Sequence, residues 1–314
     1  MSKKKDETVL QDVVRSHSET VDFIHGESHK LKPKSIIMTK TKWKYLVRSA
    51  MRGKNIMMTG PAGSGKTMAA KSLVNALNKP DFYFNLGATQ DPRTTLIGNT
   101  QFKADQGTYF SQSLFVKAIQ TPGAVILLDE LSRAHPEAWN ILMTVLDENQ
   151  RYLRVDEQEG APTIKVAEGV CFVATANIGT EYTATRALDK ALVDRFTIIE
   201  MDVLTKSDEL KLLKMMYPKV KEEKLNAVAS ITAQTRKETA NDNGKITNAL
   251  STRTAVEIAS LIYDGFTLTE SADVAIYPHY DQTGGGDSER TYVKQLVQKF
   301  AVADDDEDLF GQGD

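Results

Sequence analysis

Residues 55–77 read NIMMTGPAGSGKTMAAKSLVNAL: an apolar run, a turn carrying three glycines, then a segment with helical spacing. Within it Gly60-Pro61-Ala62-Gly63-Ser64-Gly65-Lys66-Thr67 matches G-x-x-x-x-G-K-[ST] in the context that pattern requires, a strand before and a helix after. Glycines at these spacings let backbone N–H groups converge on phosphate oxygens, and the amino end of the helix adds partial positive charge. Lys66 is expected to neutralise the β and γ phosphates and Thr67 to ligate Mg²⁺ through its hydroxyl, with Met68 next in the binding stretch. A nucleoside triphosphate is the expected ligand.

Outward from this loop, apolar and helical segments alternate. Strands are expected at 55–59, 82–86, 124–128, 170–175 and 196–201, with helices near 66–78, 112–120, 136–148 and 188–194 between them. That alternation predicts an α/β fold, a parallel sheet with helices on both faces. The runs AVILL (124–128) and VCFVAT (170–175) are apolar without alternating, as strands covered on both faces are. A further helix precedes the first strand, because Trp43, Leu46, Val47 and Ala50 share one helical face. Beyond residue 203 the strands stop and helical periodicity takes over, with Thr205, Ser251 and Asp287 or Ser288 as N-caps. The expected organisation is a polar arm or loosely docked helix at 1–34, an α/β core at 35–203, a helical subdomain at 204–300 and an acidic tail at 301–314.

A phosphate loop alone does not imply hydrolysis. In GAVILLDELSRAHPE (123–137) an apolar strand ends in two carboxylates, which a parallel sheet delivers to its carboxyl edge beside the loop. Asp129 is expected to hold Mg²⁺ through its water shell, and Glu130 to polarise an attacking water. The structural alternative is an acidic strand end that caps a turn.

Taken in order with LIGNTQFKADQGTYFSQSLFVKAI (96–119), FVATANIG (172–179), ALDKALVDRF (187–196) and STRTA (251–255), these motifs resemble those of the AAA+ ATPases. The resemblance, over about residues 35–265, is to the MoxR-type branch, which includes the CbbQ and NorQ activators and the cobaltochelatase ATPase subunit. It implies a P-loop NTPase core followed by a small all-helical lid, ATP and Mg²⁺ as cofactors, and a homo-oligomeric ring, expected to be a hexamer. It also implies Asn177 as sensor 1, Arg253 as sensor 2, and Arg195 as the arginine finger that reaches a neighbouring subunit's γ-phosphate, with Arg186 as a second candidate. A turn cap for Asn177, a solvated helix end for Arg253 and an ion pair with Asp194 or Asp189 for Arg195 are the structural alternatives. Arg133 could face the next subunit.

Two glycine-punctuated stretches, 94–113 and 151–169, read as β-hairpins, the first inserted in a helix. They resemble insertions of the same branch and would project toward one face or the pore of a ring. The aromatic-hydrophobic-glycine pore tripeptide of unfoldases is missing at the expected place, which favours remodelling of a protein partner over threading. In this branch the partner often carries a von Willebrand A domain.

With 39 Lys and Arg against 42 Asp and Glu, the chain has no global basic field to recruit nucleic acid or an anionic membrane. An AAA+ motor acting on DNA or RNA is therefore the alternative reading rather than the leading one, and a nucleotide-dependent scaffold with negligible hydrolysis is another. The longest aliphatic run is too short to cross a bilayer, and no apolar segment follows the basic residues of MSKKKDETVL. The single Cys171 excludes an internal disulfide, and a cytoplasmic protein is expected.

Overall fold

A computed structural model describes residues 16–105, 107–177, 188–241 and 243–301; Arg186, residues 1–15 of the polar arm and residues 302–314 of the acidic tail lie outside these. The described chain forms two compact units, one of residues up to 61 with 65–201, the other of 62–64 with the residues from 202 onward.

The first unit opens with α1 (His17–Asp22), whose start is fixed by a reciprocal Ser16–Glu19 capping box. A π-turn (Phe23–Glu27) and a 3₁₀ turn (Ser28–Leu31) follow. α2 (Lys40–Arg52) is capped by Thr39 and closed by Gly53 in the left-handed region. Its Trp43, Leu46, Val47 and Ala50 are fully buried, as their spacing predicts. Trp43 Nε1 donates to the Ser28 carbonyl at 2.8 Å, and Ile24 packs into the same core. Residues 17–31, within the stretch read as a polar arm, thus pack against α2.

The elements then run β1 (Ile56–Thr59), α3 (Lys66–Leu77), β2 (Asp81–Asn85), α4 (Pro92–Leu96), β3 (Gly98–Lys103), β4 (Gly107–Gln112), α5 (Leu114–Ile119), β5 (Val125–Asp129), α6 (Pro136–Leu146), β6 (Tyr152–Arg154), β7 (Thr163–Lys165), β8 (Cys171–Ala176), α7 (Lys190–Val193) and β9 (Thr197–Glu200). Five strands make one parallel sheet in the order β2-β5-β8-β1-β9. Successive strand residues point to opposite faces. Met57, Ile126, Leu128, Phe172 and Ala174 therefore join the core with Phe115 and Leu142, while Ile56, Met58, Val125, Leu127 and Val173 join the core with Trp43 and Leu73.

The hairpin β3–β4 sits between α4 and α5, so it does interrupt a helical segment. α5 starts two residues later than its periodicity predicts, because β4 runs through Gln112 and the Ser113 hydroxyl caps the helix. The second hairpin, β6–β7, meets the first: Gln112 Nε2 donates to Gln158 Oε1 at 2.8 Å, and Arg93 pairs with both Glu137 and Glu157.

The second unit is helical: α8 (Lys206–Met216), α9 (Glu222–Thr239), α10 (Thr252–Tyr263), α11 (Leu268–Ala275) and α12 (Glu289–Phe300). Thr205, Ser251 and Ser288 accept the expected capping bonds, so Ser288 rather than Asp287 caps α12. Leu213, Val228, Ile231, Ile258 and Val297 share its core. At the edge of that core the fully buried Glu209 of α8 accepts from Arg236 Nη2 at 2.7 Å, from the Thr252 hydroxyl at 2.8 Å and from the Thr232 hydroxyl. Arg236 also donates to the carbonyls of Leu204 and Leu250. One ion pair thus ties together α8, α9, the start of α10 and the chain entering the unit. Glu209→Ala leaves the Arg236 guanidinium without its counter-charge, at a cost of about 3–5 kcal/mol. Hydrogen exchange is expected to show loss of amide protection across α8–α10 while the sheet of the first unit keeps its protection.

Candidate functional site

With β8 inserted between β1 and β5, three carboxyl ends lie side by side: Thr59 is level with Ala176, and Leu128 with Ala174. The loop leaving β1, the acidic pair ending β5 and the residues ending β8 therefore converge on one edge of the sheet, where open α/β sheets bind ligands.

The loop conformation depends on its glycines. Gly60 has φ 142°, and a Cβ there would fall 2.1 Å from the Met201 carbonyl oxygen. Gly65 (φ 86°) turns the chain into α3, which begins with no side-chain cap. The first-turn amides are thus open to a ligand at the positive end of the helix dipole. Ser64 Oγ is buried without a hydrogen-bond partner, an orphaned polar atom that a phosphate oxygen would satisfy. Lys66 is buried, with Nζ donating to the carbonyls of Gly60 at 2.8 Å and Pro61 at 2.7 Å. Burial pushes its pKa down to about 8, against the opposing pull of Asp129.

Asp129 is buried and accepts three hydroxyls. Thr67 Oγ1 donates to Oδ1 at 3.0 Å, the Tyr83 hydroxyl to Oδ2 at 2.9 Å, and the Thr175 hydroxyl to Oδ1. Thr175 Oγ1 in turn accepts the Glu130 amide at 3.0 Å. The Tyr83 pKa is pushed up to about 12 by burial and by the bond to Asp129, so this phenol stays protonated and a donor. Thr67 and Asp129 together offer the hard oxygen donors that suit Mg²⁺, and the loop amides with Lys66 suit a polyphosphate. The residues present fit both groups.

Glu130 lies just outside this knot in the left-handed region (φ 56°, ψ 39°). Its Oε2 is 3.6 Å from Arg133 Nη1. Gly87 gives it room: a Cβ there would fall 2.4 Å from Glu130 Oε2. Asn177 is anchored beside the pair by its amide, which donates to Ser132 Oγ at 3.2 Å. Arg253 is the second residue of α10, in the second unit, two residues after the Ser251 cap.

Arg195 stands apart. It precedes β9, whose Thr197 is level with Ile56 at the start of β1, so it lies at the amino edge of the sheet, opposite the loop. Its Nη2 pairs with Asp147 at 3.1 Å, and its Nε donates to the Met143 carbonyl at 3.0 Å. The ion-pair partner is thus Asp147 rather than Asp194 or Asp189. Sequence reasoning passed over Tyr83, Thr175 and Gly87. Thr175 was open to discovery, since it sits one turn of the pleat before Asn177 on a strand already assigned to the site.

A phosphate loop after an inner parallel strand, with an acidic pair ending another inner strand, defines a P-loop NTPase core. Residues 55–196 match the AAA domain of the dynein-related subfamily, and residues 209–283 match the CbbQ/NirQ/NorQ C-terminal domain. The chain belongs to the AAA+ ATPases, in their MoxR-type branch. It is 37% identical over 161 residues to the candidate chaperone BssE of Thauera aromatica, covering 51% of this chain and 54% of BssE. It is 32% identical over 176 residues to an uncharacterized protein of Staphylococcus epidermidis, covering 55% of this chain and 64% of that one. The matches thus span between half and two thirds of these relatives' lengths. A RuvB mutant from Thermotoga maritima shares the fold, with a TM-score of 0.52 at 16% identity over 78% of this chain and 73% of that one. Among the described residues no helix is long and apolar enough to cross a membrane.

A polyphosphate on the loop would hold the proton of Lys66, whose unliganded pKa of about 8 leaves it partly neutral in mild base. Binding of ATP or pyrophosphate at pH 8.5 is therefore expected to take up protons, and affinity to fall as pH rises from 8 to 10. Calorimetry in two buffers of different ionisation heat checks this, and equal heats would refute it.

Proposed function

We propose that this protein is an Mg²⁺-dependent ATPase that works as a ring of identical subunits, expected to be a hexamer, and uses ATP hydrolysis to remodel or activate a protein partner. The observation that carries the reading is the position of Arg195. Arg195 precedes the first residue of β9, and three strand steps, roughly 10 Å at the rise of an extended strand, separate that residue from the level of Thr59, before the loop even begins. An arginine at that edge serves a phosphate only on another copy of the chain, which supports a site shared between subunits.

Bound ATP with Mg²⁺ supplies the phosphoanhydride and the charge-neutralising cation. The loop amides of residues 60–67 and Lys66 would seat the phosphates, and Thr67 with Asp129 would fix the cation. Glu130, released from Arg133, would accept the proton of the attacking water, which Asn177 orients. Arg195 of the adjacent copy would balance the charge that develops in the transition state, an effect worth about 10³–10⁵ in rate where such fingers act. Arg253 starts α10 and would report nucleotide state to the helical unit, which acts as the lid. The two joined hairpins give a surface for force to leave the ring. The name of BssE, a candidate chaperone, supports protein remodelling as the task. A von Willebrand A domain protein is the partner class we propose, in the cytoplasm.

The test mixes two inactive proteins. Arg195→Ala keeps an intact loop and Glu130 but lacks the finger; Glu130→Gln keeps the finger but lacks the base. Each alone is expected to turn over ATP at least about 10³-fold more slowly than wild type. Mixed, they form sites that combine an intact Glu130 with an intact Arg195, and turnover returns to a sizeable fraction of wild type. Full activity of Arg195→Ala alone, or no recovery in mixtures that light scattering shows to co-assemble, would sink the shared-site reading.

A further inference from the structure

We infer that Tyr83 is a positioning residue for the divalent cation, holding Asp129 in the orientation in which it receives the metal's water shell; this rests on the nucleotide and metal reading above. The argument begins with the sheet. Tyr83 is level with Leu127 on the neighbouring strand β5, and Leu127 and Asp129 point to the same face, so the phenol reaches diagonally to Asp129. Its hydroxyl meets Oδ2 at 2.9 Å while the Thr175 hydroxyl meets Oδ1, one donor from each flanking strand on each carboxylate oxygen.

The third donor is of a different kind. Thr67 Oγ1 contacts both oxygens, at 3.0 and 3.3 Å, and it is the group that a cation on the loop would claim as a ligand. With Thr67 given over to a cation, Tyr83 and Thr175 would remain, one per oxygen, and each oxygen would keep a lone pair free to serve the metal site. The carboxylate plane would then be set by side chains of the two strands that flank β5. Thr175 is committed twice, since it also accepts the Glu130 amide, so Tyr83 is the member of the pair whose task is Asp129 alone. The ring is partly exposed at the side of the sheet with Lys71 Nζ 5.1 Å from its centroid, and removing only its hydroxyl disturbs no core packing.

The experiment titrates Mn²⁺ into the full chain saturated with ADP, reading free Mn²⁺ by electron paramagnetic resonance, for wild type and Tyr83→Phe. ADP affinity in EDTA and the melting temperature are measured alongside. The expected result is Mn²⁺ binding about tenfold weaker in Tyr83→Phe, the scale on which second-layer partners act on metal sites, with metal-free ADP affinity and melting temperature unchanged. Equal or tighter Mn²⁺ binding overturns the inference, and so does an equal loss of ADP affinity in EDTA, which marks a general structural role. Failure of wild type itself to bind Mn²⁺ with ADP overturns the nucleotide and metal reading, and this inference with it.

Discussion

A buried carboxylate has to be satisfied, and Asp129 satisfies itself from three directions. The hydroxyls that reach it come from the start of α3, from the edge strand β2 and from β8. An ionised carboxylate taken from water without such donors costs several kcal/mol. The knot therefore makes the relative placement of three elements a condition of burying β5 at all. It also couples the acidic pair internally, because the Thr175 hydroxyl that donates to Asp129 accepts the amide of Glu130. The left-handed backbone of Glu130, unusual for a residue with a side chain, persists because that amide is held.

The parts of this arrangement that are local in sequence were legible from sequence. The loop needs glycines in fixed places, and Gly60 against the Met201 carbonyl shows why no other residue serves. The inner strands were legible because both of their faces are covered, which leaves apolar runs without alternation. The parts that depend on strand order were not. Tyr83 lies on a strand whose pattern does not disclose which face meets α3, and its partner is 46 residues away. Glu209 and Arg236 read as ordinary solvated charges on two helices until the helices pack and enclose them. Residues 17–31 have weak periodicity because a π-turn and a 3₁₀ turn break the helical spacing, although the Ser16–Glu19 capping box was there to be read.

The two edges of the sheet have different characters, and the difference bears on the role proposed for Arg195. At the carboxyl edge Asp129 is buried and satisfied by three hydroxyls, while Ser64 Oγ is left without a partner. At the amino edge Arg195 is held by Asp147, with both side chains partly open to solvent. The same guanidinium also donates to the carbonyls of Met143 and Ala191, so Asp147 is one of its three partners. The backbone beneath is secured independently: Asn55 Nδ2 donates to the carbonyls of Leu146 and Arg195, and Arg151 braces Asn55 through Nη1 while its Nη2 bonds the Val170 carbonyl. The Arg195 backbone is thus held through Asn55, next to the start of β1, independently of what its guanidinium bonds. On the shared-site reading proposed above, the guanidinium would exchange these three partners for a phosphate on another copy of the chain, while its backbone stayed where β1 begins. The pair with Asp147 is more open to solvent than that of Glu209 and Arg236, where the carboxylate is fully buried, and so leaves its guanidinium within reach of such a partner.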